Sequence, residues 1–500
     1  MIDLNLINRL LFGSRPSFSN IAVGQFDDLP PGGLTLGTLY AGRQGTGKTS
    51  ALARHIVEYF KTYPGRGIFV LDWSGSISDN ILHLILQEPL EVREKLLQRL
   101  VFDDMGNPDW VIPLPEFSLL YGGTYEEQVQ RVAQNLEKLA PELVQGAPFL
   151  AGLGLQEIAP ELFRLLTAIR DEQDETWQLT EAKRLIVDKP LLRHAVAKFG
   201  HRVPEAKWFL EKLYLNLRNQ ERELRSYAVL ALLGSIEPRE TRARVGYFQP
   251  GWTPQEAIEK GLMVLVTGAR LINQRMTQHY LFTQVYSLIM AEINKRQPGN
   301  PNDRPVALVM DEVYSLLSIP GMAKEIGMLS PLYRSRKLQL YIVLQALSQL
   351  SPTLRDQIWS LGNIVCFAIS NFDEAYELAQ QLFPYAPNTI KVPAKSERGQ
   401  PIMEPDRGQY LAIANWIQRL KHRECVIRRY ISEQDMDKYV YYVPRTKEIP
   451  NNDIGEIITD VKEKLLRERG VRVRDALEII NQRKIVSKSA STRKKTPPQI

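Results

Sequence analysis

Cysteine is scarce in this chain, with only two among 500 residues. Cys366 and Cys425 each stand alone beside apolar residues, so the sequence predicts neither a disulfide framework nor a thiolate metal site. Long hydrophobic runs are also lacking, because no segment approaches the ~18 consecutive apolar residues that a membrane span needs. We therefore expect a soluble, cytoplasmic protein with no span of its own, recruited to any membrane by a partner.

Most of the chain also lacks an excess of charge of either sign. The formal net charge is +6, and residues 481–500 alone contain six basic side chains and no acid, which leaves residues 1–480 neutral. The body is therefore not a generally basic nucleic-acid binder. The Ser-, Lys- and Pro-rich tail is expected to be disordered, and either contacts phosphates or is merely solvated. Its basic residues are Arg483, Lys484, Lys488, Arg493, Lys494 and Lys495.

What the chain does contain, near its start, is the pattern of a strand, a loop, a helix and a second strand. Residues Leu34–Tyr40 are apolar and lead into a glycine-rich turn, after which Ser50–Tyr59 has helical periodicity. A second apolar strand, Gly67–Leu71, ends at Asp72. This βαβ order predicts a parallel sheet with helices on both faces.

The glycine-rich turn, Gly42–Thr49, fits the pattern G-x-x-x-x-G-K-[ST], in which successive backbone amides point at phosphate oxygens. Lys48 is expected to bridge the β- and γ-phosphates, and Thr49 to ligate Mg²⁺. The helix that follows adds its N-terminal dipole to the anion site. A turn that binds nothing is the alternative, which the flanking strand and helix disfavour. The predicted nucleotide-binding residues here are Gly42, Arg43, Gln44, Gly45, Thr46, Gly47, Lys48, Thr49 and Ser50.

Two adjacent carboxylates follow another apolar strand, Val306–Met310. Because ligands bind at the carboxyl ends of strands in open α/β sheets, Asp311 and Glu312 are expected to face the phosphates. Asp311 is then the second predicted Mg²⁺ ligand, and Glu312 polarises the attacking water. Two acids after a strand also suit the start of a helix, but their combination with the phosphate loop favours the hydrolytic interpretation.

A third element is the apolar run Leu338–Gln345, which ends on an amide. Gln345 is a candidate sensor of the γ-phosphate or of the attacking water. Arg334 and Arg336 precede the strand, and either is a candidate to act on the nucleotide of a neighbouring subunit. Simple solvation of both arginines is the alternative.

The remaining pattern divides the chain into units. Long amphipathic stretches with little strand character follow the second strand, and apolar strands resume at Leu262–Thr267 and continue to Asn363–Ile369. A late strand is predicted at Glu424–Tyr430. The predicted units are 1–33, an N-terminal docking segment; 34–77 with 261–445, the ATPase domain; 78–260, an inserted helical domain; 446–480, a C-terminal helical segment; and 481–500, a basic disordered tail.

These elements, in this order, resemble the HerA–FtsK superfamily of P-loop ATPases, and within it most closely the coupling-protein branch of type IV secretion and conjugative DNA transfer. The resemblance extends over roughly residues 30–445. The second-strand turn departs from it, with Trp73 and Ser74 where coupling proteins often have Pro and Lys. The segments that carry the resemblance are Val70–Gly75, Tyr333–Ser335, Leu344–Gln345, Ser348–Leu350, Leu361–Val365 and Phe372–Ala375.

The resemblance implies an α/β fold: a RecA-like, mostly parallel sheet with helices on both faces and a large, mostly helical insertion between the second strand and the Walker B strand. It also implies ATP and Mg²⁺ as cofactors, and a homohexameric ring with nucleotide between subunits and a central pore for DNA. It favours Arg334 over Arg336 as the arginine that acts in trans. Gln345 becomes the γ-phosphate sensor, and Asp72 a part of the nucleotide or Mg²⁺ surroundings.

The function expected on this basis is a ring-forming ATPase motor that couples hydrolysis to translocation of DNA, double-stranded or single-stranded, in conjugation-like or mobile-element transfer. Its expected partners are a secretion channel, a relaxase or a nuclease. One alternative is a HerA-like motor that partners a nuclease in DNA processing or antiviral defence. Another is a secretion ATPase that moves polypeptides, which has no reason to accelerate on duplex DNA. An inactive scaffold conflicts with the intact Lys48, Asp311 and Glu312.

Overall fold

A computed structural model of the protein describes thirteen stretches of the chain. The predicted docking segment, 1–33, and the tail beyond residue 483 lie outside the described residues. Within the described residues, no helix combines the length and apolarity needed to cross a membrane. The described stretches are 37–143, 153–169, 176–319, 321–322, 325–326, 334–359, 361–382, 391–392, 402–403, 406–430, 439–442, 449 and 454–483.

The strands follow the chain in a βα alternation. They are β1 Thr38–Ala41, β2 Ile68–Asp72, β3 Leu100–Asp104, β4 Trp110–Val111, β5 Met263–Thr267, β6 Val306–Asp311, β7 Leu338–Leu344, β8 Asn363–Phe367, β9 Lys391–Val392, β10 Ile402–Met403, β11 Cys425–Tyr430, β12 Tyr439–Tyr442 and β13 Val471–Arg472.

The helices lie between these strands and, in the middle of the chain, form a unit of their own. They are α1 Lys48–Thr62, α2 Ser76–Gln87, α3 Leu90–Leu97, α4 Tyr125–Leu143, α5 Ala159–Ala168, α6 Ala182–Val187, α7 Lys189–Phe199, α8 Pro204–Lys212, α9 Asn219–Gly234, α10 Arg239–Gly246, α11 Pro254–Lys260, α12 Arg275–Asn294, α13 Val313–Leu317, α14 Pro352–Trp359, α15 Phe372–Leu382, α16 Asp406–Gln418, α17 Gly455–Arg469 and α18 Val473–Gln482.

A nine-stranded sheet in the order β12-β11-β8-β1-β7-β6-β2-β5-β3 forms the centre of the molecule. The strands from β8 to β3 are parallel, while β11 and β12 extend the β8 edge in antiparallel orientation. The parallel strands are buried along their whole length, which explains their continuous apolar character. The predicted RecA-like α/β class is confirmed. The late strand predicted at Glu424–Tyr430 is β11, and the two cysteines, on β8 and β11, are buried and form no disulfide.

The predicted boundary of the helical insertion at residue 78 is wrong. Strand β3 lies within the predicted insertion 78–260, yet it pairs in parallel with β5 and forms the edge of the central sheet. The sequence obscured this strand because it is short and its last two residues, Asp103 and Asp104, are acids. The helical unit begins only after β3 and β4, at α4. Within this unit, α8 and α9 are separated by the 3-10 turn Tyr214–Asn216.

The predicted C-terminal helical segment consists of α17 and α18, which pack back onto the first half of the chain. Helix α17 packs on β3, and β13 pairs with β4. Arg469, at the end of α17, forms an ion pair with Glu256 at 3.1 Å. The predicted start of the disordered tail at residue 481 is wrong, because α18 extends to Gln482 and Arg483 is buried with its guanidinium 3.5 Å from a carboxylate oxygen of Glu181.

A buried ion pair joins the sheet to the insertion. The guanidinium of Arg244, on α10, donates to both carboxylate oxygens of Asp103, at 2.5 and 2.8 Å, and both side chains are at most 1% exposed. The Trp252 indole donates to the same carboxylate at 3.2 Å, and Arg244 also donates to the Ile112 carbonyl at 3.0 Å. Because hydrogen bonds compensate both buried charges, the pair fixes α10 to the carboxyl end of the edge strand β3.

Replacement of Arg244 by Met is therefore expected to destabilise the protein by about 3–5 kcal/mol, because it leaves the Asp103 carboxylate buried without its cation. Arg270→Met is the matched control. Arg270 pairs with the neighbouring Asp104 but is 57% exposed, so its loss is expected to cost less than about 1 kcal/mol. The measurement is the urea midpoint of the two variants. Similar small shifts for both would contradict the structural role assigned to the buried pair.

Candidate nucleotide-binding site

The Gly42–Thr49 loop connects β1, in the centre of the sheet, to helix α1. Gly47 precedes the helix in the left-handed region, at φ 100°, a conformation that disfavours residues with a side chain. Gly42 approaches β8 so closely that a Cβ built there would lie 2.6 Å from the Cβ of Phe367. The two glycines let the loop turn tightly above the sheet and begin α1 at Lys48.

Backbone hydrogen bonds hold the start of the loop from both neighbouring strands. The Gly42 amide donates to the Leu344 carbonyl at the end of β7, at 3.3 Å. The Arg43 amide donates to the Ala368 carbonyl just after β8, at 2.8 Å. Between these anchors and α1, residues 43–45 are exposed to solvent, which leaves the crest of the loop accessible to a ligand.

The Lys48 side chain folds back onto the loop. Its ammonium donates to the carbonyls of Gly42 and Arg43, at 2.5 and 2.8 Å. Burial lowers the pKa of Lys48 to about 8, against the opposing effect of the Asp311 and Glu312 charges. A buried ammonium held by neutral carbonyls gains electrostatically if phosphate oxygens replace them. The geometry of the loop therefore fits a triphosphate.

Asp311 and Asp72 end two adjacent parallel strands, β6 and β2, in direct register. Asp311 is 3% exposed, and burial, followed by repulsion from Asp72 and Glu312, raises its pKa to about 7 in spite of Lys48. This crowding of carboxylates is what a divalent cation relieves. The predicted metal ligand Asp311 thus has surroundings that fit Mg²⁺, and Thr49 is half-buried at the start of α1.

The carboxylate of Asp72 is engaged by its own turn. It accepts hydrogen bonds from the backbone amides of Gly75, at 2.7 Å, and Ser78, at 2.8 Å, and so shapes the start of α2. The adjacent Trp73 stacks on Phe282 of α12, with ring centroids 3.9 Å apart, which fixes the end of β2. Asp72 therefore lies beside Asp311 and adds negative charge there, while its hydrogen bonds serve the turn.

Ser76 also lies at the carboxyl edge of the parallel sheet, and the sequence did not predict it as a site residue. Its hydroxyl lies 3.5 Å from a carboxylate oxygen of Asp311, across from β6. It is the first residue of α2, and the Asp72 turn places it there. The signal in the sequence is weak, because a serine is common at the start of any helix.

Glu312 adopts a left-handed backbone conformation, with φ 52° and ψ 46°, immediately after β6. It precedes α13, as the alternative interpretation of the two acids required, but its side chain makes no capping hydrogen bond. Non-glycine residues in this conformation are strained and concentrate at functional sites. The half-exposed Glu312 carboxylate thus follows Asp311 directly and does not cap α13.

The two remaining predicted residues lie at opposite ends of β7. Gln345 is exposed and directly follows Leu344, whose carbonyl accepts from the first residue of the phosphate loop. Arg334 lies in the 3-10 turn before β7, roughly 20 Å away at the amino end of a seven-residue strand. The neighbouring Arg336 donates to Asn294 of its own chain. The site therefore gathers Gln345 but not Arg334.

The parallel sheet, the loop after β1 and the acids after β6 define a RecA-like fold. The structure is similar to that of the bacterial conjugative coupling protein TrwBdeltaN70, with a TM-score of 0.52, 14% identity, and coverage of 84% of this chain and 87% of that one. It is also similar to the plasmid coupling protein TrwB in complex with ADP and Mg²⁺, with a TM-score of 0.50, 16% identity, and coverage of 85% and 89%. At this identity the likeness establishes the fold. No protein-family model and no curated protein sequence matches the chain.

Lys48→Ala and Glu312→Gln are expected to have different defects. Loss of the ammonium should weaken binding of a non-hydrolysable ATP analogue by about a hundredfold, because two charge-assisted contacts to phosphate disappear. Glu312→Gln should retain the affinity and lower turnover by about 10²–10⁴-fold, because only water activation is lost. Calorimetric titration and steady-state hydrolysis measure the two effects. Equal losses of affinity would contradict the assigned roles.

Proposed function

We propose that this chain is an ATPase motor that works as a homohexameric ring and couples ATP hydrolysis to DNA translocation in conjugation-like or mobile-element transfer. The observation that carries the proposal is the separation of Arg334 from its own phosphate loop by the length of β7. An arginine at the amino edge of the sheet cannot serve the nucleotide at the carboxyl edge of the same chain. We assign it instead to the nucleotide of a neighbouring subunit.

Within one subunit, the proposed site holds Mg·ATP by the phosphate loop. Lys48 binds the β- and γ-phosphates, and Thr49 and Asp311 hold the Mg²⁺, which neutralises phosphate charge. Glu312 orients and polarises the attacking water, and Gln345 contacts the γ-phosphate or that water. From the adjacent strand end, the Ser76 hydroxyl donates to Asp311, and Asp72 adds negative charge beside it.

DNA is the favoured cargo because the similar solved structures are described as conjugative and plasmid coupling proteins. Since residues 1–480 carry no net charge, duplex binding should be weak in a single subunit and stronger where loops of several subunits converge. A relaxase, a secretion channel or a nuclease is the expected class of partner.

Arg334→Ala is expected to leave nucleotide affinity nearly unchanged and to lower hydrolysis by the assembled ring by about 10³–10⁵-fold. Mixing this variant with Glu312→Gln should partly restore hydrolysis, because some interfaces then combine an intact Glu312 with an intact Arg334 of the neighbour. Arg336→Ala is the matched control and should retain activity. A mixture as inactive as either parent would show that Arg334 does not act across subunits.

Duplex DNA is expected to stimulate hydrolysis by the full chain, and deletion of Ser487–Ile500 should preserve the stimulation. The deletion removes four basic residues, so it should lower the slope of log affinity against log salt by up to about four units, at roughly 0.9 per phosphate contact. Hydrolysis is measured against duplex concentration at two salt concentrations. Loss of stimulation on truncation would move the DNA site to the tail, and no stimulation of the full chain would favour a polypeptide cargo.

A further inference from the structure

The charge of the chain is unevenly distributed, and helices α6 to α9 carry an excess of positive charge. From Ala182 to Gly234 the sequence contains eleven lysine and arginine residues against five aspartate and glutamate residues. Since residues 1–480 are neutral overall, the rest of that part of the chain has a matching negative excess. These helices are therefore the part of the molecule in which an anion is attracted most strongly.

Cations lie in the first turns of two of these helices, α7 and α9. Helix α6 packs on α9, and α7 follows α6 after Asp188 alone, which brings the start of α7 beside α9. Lys189 is the first residue of α7, and Arg193 lies one turn later on the same side of the helix. Arg222 lies on α9, one turn after the cap residue Arg218. We call Lys189, Arg193 and Arg222 the cation cluster.

The members of the cation cluster repel one another. Desolvation, and after it the positive charges of Arg222 and Arg193, lower the pKa of Lys189. Cations are also unfavourable near the amino end of a helix, where the helix dipole is positive, and the first turn of α7 contains no acid. Both effects add positive potential at one place, and a bound anion would relieve both.

The cation cluster lacks the acidic partners that neighbouring cations have. Within the described part of the chain, none of its three side chains forms an ion pair, and Nη1 of Arg222 is buried without a hydrogen-bond partner. On the same helices, Lys183 pairs with Glu237 and Arg225 pairs with Glu221, both at 2.9 Å. A buried guanidinium nitrogen without a partner costs free energy that an anion's oxygen would recover.

We propose that the cation cluster is a binding site for a phosphate group, separate from the phosphate loop. The guanidinium groups of Arg193 and Arg222 can each bind two phosphate oxygens, and the Lys189 ammonium adds a further charged contact. Two sources share this chemistry, namely the backbone of the proposed DNA cargo and a free phosphate ion. The DNA source rests on the proposed function, whereas the site itself does not.

The first measurement is the thermal unfolding midpoint of the full chain in phosphate and in chloride at equal ionic strength, with Mg²⁺ and a non-hydrolysable ATP analogue present. We expect phosphate to raise the midpoint of the unaltered chain, because it binds the folded state. The double variant Lys189→Gln/Arg193→Gln should lose this increase. In chloride it should be at least as stable as the unaltered chain, because a repulsion is removed. An equal increase in both proteins would overturn the inference.

The matched control is Lys183→Gln/Arg239→Gln, which removes two exposed cations near the other end of α9. It should keep the stabilisation by phosphate. If the control lost as much stabilisation as the cluster variant, the effect would belong to the general charge of these helices, and the inference would be overturned.

The second measurement distinguishes the two sources, by the affinity of the same proteins for duplex and single-stranded DNA at several salt concentrations. A slope of log affinity against log salt that is lower by up to about two units in the cluster variant alone, at roughly 0.9 per phosphate contact, would assign the DNA backbone. An unchanged slope, with the stabilisation by phosphate lost, would assign a free phosphate ion. No DNA binding by the unaltered chain would contradict the proposed function, while the thermal measurement would still decide on the site.

Discussion

The organising constraint of this structure is the concentration of carboxylates at the carboxyl edge of one parallel sheet. Asp72 and Asp311 end adjacent strands in register, and Glu312 follows at once. Burial, followed by repulsion from Asp72 and Glu312, raises the pKa of Asp311 to about 7, and Lys48 opposes this. Parallel pairing makes such crowding unavoidable once two neighbouring strands end in acids, and a divalent cation with a triphosphate relieves it.

The phosphate loop and Arg334, the arginine proposed to act in trans, lie at opposite edges of the same sheet. Gln345 directly follows β7 at the nucleotide edge and Arg334 precedes β7 at the far edge, so one strand connects the two. In the proposed ring, each subunit carries one nucleotide site and supplies Arg334 to the site of its neighbour. We therefore consider the single subunit an incomplete catalytic unit, completed by its neighbour in a ring.

The sequence predicted the parallel strands well because strands buried on both faces are apolar throughout, and the phosphate loop because its pattern is local. It failed at β3, whose acids Asp103 and Asp104 are stabilised by Arg244 and Arg270, far away along the chain. It also failed at Arg483, which is buried against Glu181. The left-handed backbone of Glu312 depends on tertiary packing, so no local pattern in the sequence predicts it.

The central claim is that catalysis requires a ring, and images of the protein with Mg²⁺ and a non-hydrolysable ATP analogue test it most directly. Two-dimensional class averages are predicted to show closed rings with sixfold symmetry. Images that show single subunits, from a preparation whose specific rate of ATP hydrolysis is independent of protein concentration, would contradict the account.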